Sequence, residues 1–202
     1  MITWDERFRR SDYPADPDPA DLLRRRVDTL PDGRALDVAT GTGRNAVFLA
    51  DHGYEVDAVD RSRVGLETTL DDARERSVAD RVNPVQADLN ECAFPTEAYD
   101  VVTVSFFRVV DRLPDVRAAL RDGGVLFAEH HLRTTDPVDL GPPGDRYRLA
   151  ADELLRLCLG VTVLSYEAGC EERADGQVGA VARILARNST GGRQSYPFLP
   201  DG

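Results

Sequence analysis

The residues able to do chemistry are concentrated between positions 35 and 62, in ALDVATGTGRNAVFLADHGYEVDAVDRS. A hydrophobic run carries Asp37 near its end, a turn follows with Ala39, Gly41 and Gly43, and a second apolar run ends in Asp60, with Arg61 beyond it. Glycine suits a turn where the backbone must approach a ligand closely or take a positive φ, which a Cβ would hinder. An acid at the end of the second run is placed to accept hydrogen bonds from a ribose diol. A third acid, Asp88, ends the run VQADLN (85–90), with Leu89 after it, where a carboxylate can meet an adenine amino group.

Two cofactor classes use this design. Gly41, Gly43 and Ala46 spell GxGxxA with Asp60 downstream, which is the NAD fingerprint. Asp37 just before the turn points elsewhere, because a carboxylate there is aimed at an ammonium group; S-adenosylmethionine has one and NAD does not. Three acids at three successive strand ends match adenine, ribose and a methionine ammonium, and leave no site for a pyrophosphate. Ser105 closes a later apolar run near the expected sulfonium, with helix capping as the alternative use of its hydroxyl. On the acceptor side the candidates are His131, Arg108 and Arg146. His130 and His131 end a fifth run, one on each side of it, and His131 begins the loop beyond. Arg108, Arg146 and Arg148 could hold an anion, with solvent ion pairs as the alternative. Trp4 and Phe8 could fold over the cleft or simply anchor the terminus.

These residues need a scaffold of short strands and helices in alternation. Apolar or alternating runs at 34–40, 54–60, 81–88, 98–107 and 123–131 predict strands, and 45–53, 62–77 and 110–120 predict helices. Nearly continuous apolar strands are those buried on both faces, as in a parallel sheet covered by helices. Asp18 and Pro19 predict the start of a helix over 20–30. After 131 the pattern changes to an irregular loop at 132–148, a helix at 150–158, and runs at 160–169 and 177–187 whose short separation predicts an antiparallel hairpin. DYPADPDPAD (12–21) reads as an extended lead-in within 1–30, and 188–202 as a mobile tail.

The chain has 202 residues, which predicts one domain spanning 1–202. It contains 36 acidic residues against 25 basic ones, all of them arginine, for a net charge of −11. That field repels phosphate backbones and anionic lipid, so no nucleic-acid or membrane partner is expected. The acid-rich, lysine-free balance is similar to that of proteins from salt-loving archaea. Three scattered cysteines, Cys92, Cys158 and Cys170, provide neither a disulfide framework nor a metal site. No long apolar run or signal peptide is read, so the expected location is cytoplasmic.

With DVATGTG, VDAVD, QADLN, YDVVTVSFF and GGVLFAEHH in order, the chain resembles the class I S-adenosylmethionine-dependent methyltransferases over roughly residues 30–187. WDERF, GTGRNAVFLA and DRYRLAADELLRL are similar to the tellurite-resistance branch. The family commonly has glycine where this chain has Ala39, which crowds the turn. The resemblance implies an α/β doubly wound, Rossmann-like fold, a mostly parallel seven-stranded sheet of order 3-2-1-4-5-7-6 with the last strand antiparallel. It also implies methyl transfer from S-adenosyl-L-methionine to a small-molecule acceptor, such as a thiol, a chalcogen oxyanion or another small nucleophile. Two other readings stay open, an NAD-dependent oxidoreductase and a non-catalytic S-adenosylmethionine-binding module.

Overall fold

Seven stretches pair into one sheet in the computed structural model, which describes residues 2–10, 18–108, 110–173, 175–189, 192–196 and 198. The strands are β1 (Arg34–Val38), β2 (Glu55–Asp60), β3 (Val82–Gln86), β4 (Tyr99–Ser105), β5 (Leu120–His131), β6 (Thr162–Glu172) and β7 (Val178–Arg187). Their spatial order is β3-β2-β1-β4-β5-β7-β6, as the resemblance implies. β1 to β5 pair in parallel, and β7 is antiparallel to both neighbours. β6 therefore runs in the same direction as β5. The C-terminal ends of β1 to β6 open on one edge of the sheet, where open α/β folds bind ligands.

The helices are α1 (Trp4–Phe8), α2 (Asp21–Arg26), α3 (Arg44–Asp51), α4 (Arg63–Glu75), α5 (Leu113–Ala119) and α6 (Glu153–Leu157). Period-two alternation sends strand side chains into two cores. Ala35, Val56, Val101 and Phe127 meet Leu22, Leu23, Phe48 and Leu49 on one face. Leu36, Val102 and Ile184 meet Val116, Leu154 and Cys158 on the other. Both faces are thus covered, the doubly wound arrangement. Pro84 is tolerated within β3 because that strand lies at the sheet edge, where one side of its ladder is not needed.

Several boundaries differ from expectation for local reasons. α2 starts at Asp21, and its N-cap is Ala20, whose N–H is taken by Asn45 Oδ1 at 3.0 Å, rather than the expected Asp18. α6 is shorter than predicted because Asp152 sits at φ +59° and interrupts the first turn. β3 ends at Gln86, which leaves Asp88 in the following turn. Ser62 caps α4 as expected, its hydroxyl accepting from the Gly65 N–H at 3.1 Å. His52 closes α3, its Nδ1 2.8 Å from the Phe48 carbonyl. Arg148 bonds the carbonyls of Leu132, Leu140 and Pro142, so it clamps the 132–148 loop. Residues 11–17 of the lead-in, and 190–191, 197 and 199–202 of the tail, lie outside the described residues. The three cysteines are free thiols. Among the described residues no helix is long and apolar enough to cross a membrane.

Candidate active site

The turn between β1 and α3 uses three exceptions to ordinary backbone geometry, at alternate positions. Ala39, Gly41 and Gly43 have φ of +58°, +59° and +89°. Glycine occupies that region freely, whereas Ala39 does so at a cost. A Cβ on Gly43 would also lie 2.5 Å from Thr69 Cγ2 on α4. The turn is tied to β2 through Asp60, whose Oδ2 accepts from the Gly41 N–H at 2.9 Å and whose Oδ1 accepts from the Ser62 N–H at 2.7 Å.

Asp37 is buried at the sheet centre, with hydroxyls of Thr103 and Thr40 donating to its two oxygens at 2.5 and 2.6 Å. Burial pushes its pKa up to about 6 despite those donors. Burial also raises Asp60, against the backbone N–H groups that bond it. Asp88 is half-buried, and the backbone and side chain of Asn90 hold its carboxyl below the usual value.

Asn45, on the first turn of α3, is a buried polar residue inside an apolar helix. Its amide donates to Ser105 Oγ at 2.8 Å, so Ser105 is linked through α3 to the backbone before α2. Arg44 reaches across to Glu129 on β5, whose side chain is fully buried. Arg183 on β7 takes the other Glu129 oxygen at 3.0 Å. Phe106, just after β4, has φ +55° and donates its N–H to the Glu129 carbonyl at 3.0 Å. Its ring stacks on His131 at 4.4 Å between centroids, and the Arg44 guanidinium lies 5.4 Å from it.

One cavity draws these elements together. Asp37, Ala39, Gly41, Asp60, Arg61, Asp88, Leu89 and Ser105 all line it; Gly43 shapes the turn from behind. Trp4 and Phe8 line it too, because α1 is docked by Asp5, which accepts from Ser62 Oγ at 2.5 Å. The acceptor-side candidates are placed differently. Arg108 pairs with Glu153 at 3.2 Å, Arg146 lies over Tyr147, and neither borders the cavity. His131 stands behind Phe106, its buried Nδ1 without a hydrogen-bond partner among the described residues. Burial and neighbouring positive charge press its pKa down to about 3, so the ring is neutral. The lining residues that sequence reasoning missed are Thr40, Thr42, Arg44, Asn45, Asn90, Phe106, Phe107 and Arg173. Asn45 alone carried a readable signal, an amide within the apolar run NAVFLA.

Comparison with known proteins adds the following. Residues 35–124 match the family model described as a methyltransferase domain. The chain is 33% identical over 121 residues to hemagglutinin 1 of Eikenella corrodens, covering 56% of this chain and 39% of that protein. It is also 33% identical over 141 residues to the demethylmenaquinone methyltransferase of Clavibacter sepedonicus, covering 66% and 55%. The chain thus spans about half or less of the length of these relatives. Among solved structures, TehB from Haemophilus influenzae superposes with a TM-score of 0.71 at 20% identity, over 84% of this chain and 62% of that one. A SAM-dependent methyltransferase from Methanosarcina mazei gives 0.67 at 14% identity, over 84% and 98%. At such identities the superpositions speak to architecture, and together with the strand order they establish that this chain has the Rossmann-like methyltransferase fold.

Proposed function

We propose that the protein binds S-adenosyl-L-methionine in this cavity and transfers its methyl group to a small-molecule acceptor. The observation that carries the reading is the set of three carboxylates brought to one cavity beside a glycine turn, Asp37 and Asp60 from the ends of β1 and β2 and Asp88 from the segment that follows β3. The match to a methyltransferase domain and the relatives named as methyltransferases support it. A cytoplasmic location, a salt-loving source and a single domain over 1–202 belong to the same proposal.

The residues present fit the cofactor. Asp37 has carboxylate lone pairs beyond those its two threonines use, so it can accept from an ammonium. Asp60 offers remaining acceptor capacity for a diol, and Asp88, with Leu89 buried beside it, suits an adenine edge. The bound cofactor supplies an electrophilic methyl on a sulfonium. The chain's part is alignment and exclusion of water by the side chains that line the cavity, among them Asn45, Ser105, Phe106, Phe107 and, from α1, Trp4 and Phe8. Among the described residues no histidine lines the cavity, so an acceptor that must lose a proton would give it to a carboxylate or to water.

Parallel calorimetric titrations with S-adenosylmethionine and NAD, followed by mass-spectrometric detection of methylated product over an acceptor panel, test the reading. We expect binding of the first ligand alone, weakened at least tenfold by Asp60→Ala through loss of charge-assisted hydrogen bonds. Binding of NAD alone would turn the assignment to an oxidoreductase. Binding of S-adenosylmethionine with no product from any acceptor would turn it to a binding module.

A further inference from the structure

The segment that brings Asp88 and Leu89 to the cavity has no regular structure of its own. Residues 87–98 connect β3 to β4 with neither helix nor strand, and Asp88, Leu89 and Asn90 among them line the cavity. A tight turn closes on the Asp88 carbonyl, which accepts from the N–H groups of Glu91 and Cys92 at 3.0 and 2.9 Å. Asn90 bonds Asp88 Oδ1 through both its backbone N–H and its side-chain amide, each at 3.0 Å, so Oδ2 is the oxygen left to face a ligand. These bonds are internal to the turn. They give it a shape but do not fix it against the sheet.

Polar ties to other elements do that. On the β2 side the Ala87 N–H donates to the carbonyl of Asp60 at 3.0 Å. On the other side stands Arg112, the N-cap residue of α5. Its Nη1 donates to the Leu89 carbonyl, its Nη2 to the Cys92 carbonyl at 2.6 Å, and its Nε to Asp115 at 2.7 Å. The guanidinium also lies 5.5 Å from the centre of the Phe94 ring in the same segment. Its side chain is only 16% exposed. Arg24, Arg63 and Arg74 instead pair with exposed carboxylates one turn away, where ion pairs contribute little. A charged donor makes a stronger bond than a neutral one, and a planar fork holds two acceptors in a fixed relation that a lysine ammonium cannot reproduce. Arg112 also follows Phe106 and Phe107 in the chain, so it ties the connection after β4 to the one before it.

We infer that Arg112 is a positioning residue for the nucleobase: by holding the carbonyls of Leu89 and Cys92 it sets the place of Asp88, and so the selection of adenine by its amino group. The inference rests on the methyl-transfer reading and adds a residue to its cofactor site. Arg112 is not among the residues lining the cavity, so it acts through the turn and not on the ligand. Good hydrogen bonds from nitrogen to oxygen fall within a range of about 0.5 Å, so a small shift of the turn forfeits the Asp88 contact before it disturbs the ribose or methionine ends.

The test is calorimetric titration of the full chain with S-adenosylhomocysteine and with its analogue lacking the adenine 6-amino group. The unaltered protein should prefer S-adenosylhomocysteine at least tenfold. Arg112→Met, which keeps the apolar stem and removes the fork, should weaken S-adenosylhomocysteine at least tenfold and the analogue no more than threefold, with an unchanged circular dichroism spectrum. Arg112→Lys keeps the positive charge beside Asp115 but cannot hold both carbonyls, so it should narrow the preference as well, and it carries the test if Arg112→Met does not fold. An equal loss of both ligands would make Arg112 a support of the fold alone and overturn the inference. A folded variant with its preference unchanged, or an unaltered protein that does not tell the two ligands apart, overturns it too. Failure of S-adenosylhomocysteine to bind the unaltered protein removes the methyl-transfer reading and this inference with it.

Discussion

Gly65→Ala should do the opposite of what a helix substitution ordinarily does. Gly65 is the third residue of α4, and at an exposed helix interior the change to alanine gains about 0.5–1 kcal/mol. Here an added Cβ would stand 2.4 Å from the Gly41 carbonyl oxygen, 3.1 Å from its carbon and 3.1 Å from Phe8 Cε2. Phe8 can turn aside, but Gly41 is backbone, tethered by its N–H to Asp60. Overpacking of this kind costs roughly 1–3 kcal/mol, so after the helix gain the net effect is a loss of about 1 kcal/mol. For a chain of this size that lowers Tm by about 2–4 °C. The displaced turn should also weaken S-adenosylhomocysteine by at least fivefold. Thermal melts and calorimetry read both effects; a Gly65→Ala protein with raised Tm and unchanged affinity would refute the packing argument.

Three other outcomes follow from single observations. Ala39→Gly relieves a left-handed alanine, which costs about 1–2 kcal/mol, against about 0.4–1 kcal/mol of added chain entropy in the unfolded state; a net gain of roughly 0.5 kcal/mol should appear in urea unfolding, and a loss would contradict it. Asp37, raised to about 6 when folded, binds a proton between about pH 4 and 6 that the unfolded chain lacks, so its contribution to stability falls as pH rises through that window. An ammonium beside it should expel that proton, so at pH 5.5 S-adenosylmethionine binding should release protons, seen as a buffer-dependent enthalpy that Asp37→Asn abolishes. With −11 net charge and no lysine, Tm at pH 8 should rise between tens of millimolar and molar potassium chloride; indifference to salt would remove the halophilic reading.

What the sequence made legible was whatever is encoded locally. Apolar runs ending in Asp37, Asp60 and Ser105, the two turn glycines and the Ser62 cap all depend on neighbours within a few positions, and each stands where it was expected. The ion pairs of Glu129 depend on contacts between distant residues. Glu129 pairs with residues 85 and 54 positions away, and nothing local marks it as other than one more acid in an acidic chain. The positive φ of Phe106 is likewise imposed by β5, not by its own sequence. His131 drew notice as a polar residue at a strand end, yet Phe106 fills the space between it and the cavity. Arg108 had no readable partner until α6 brought Glu153 beside it.

The most direct test of the account is a crystal structure of the protein grown with S-adenosylhomocysteine. The account predicts the amino group at Asp37, the ribose hydroxyls on Asp60, the adenine beside Asp88 and Leu89, and the sulfur near Ser105, facing Phe106. Density for the ligand outside this cavity, or inside it with the ribose away from Asp60, would contradict the assignment.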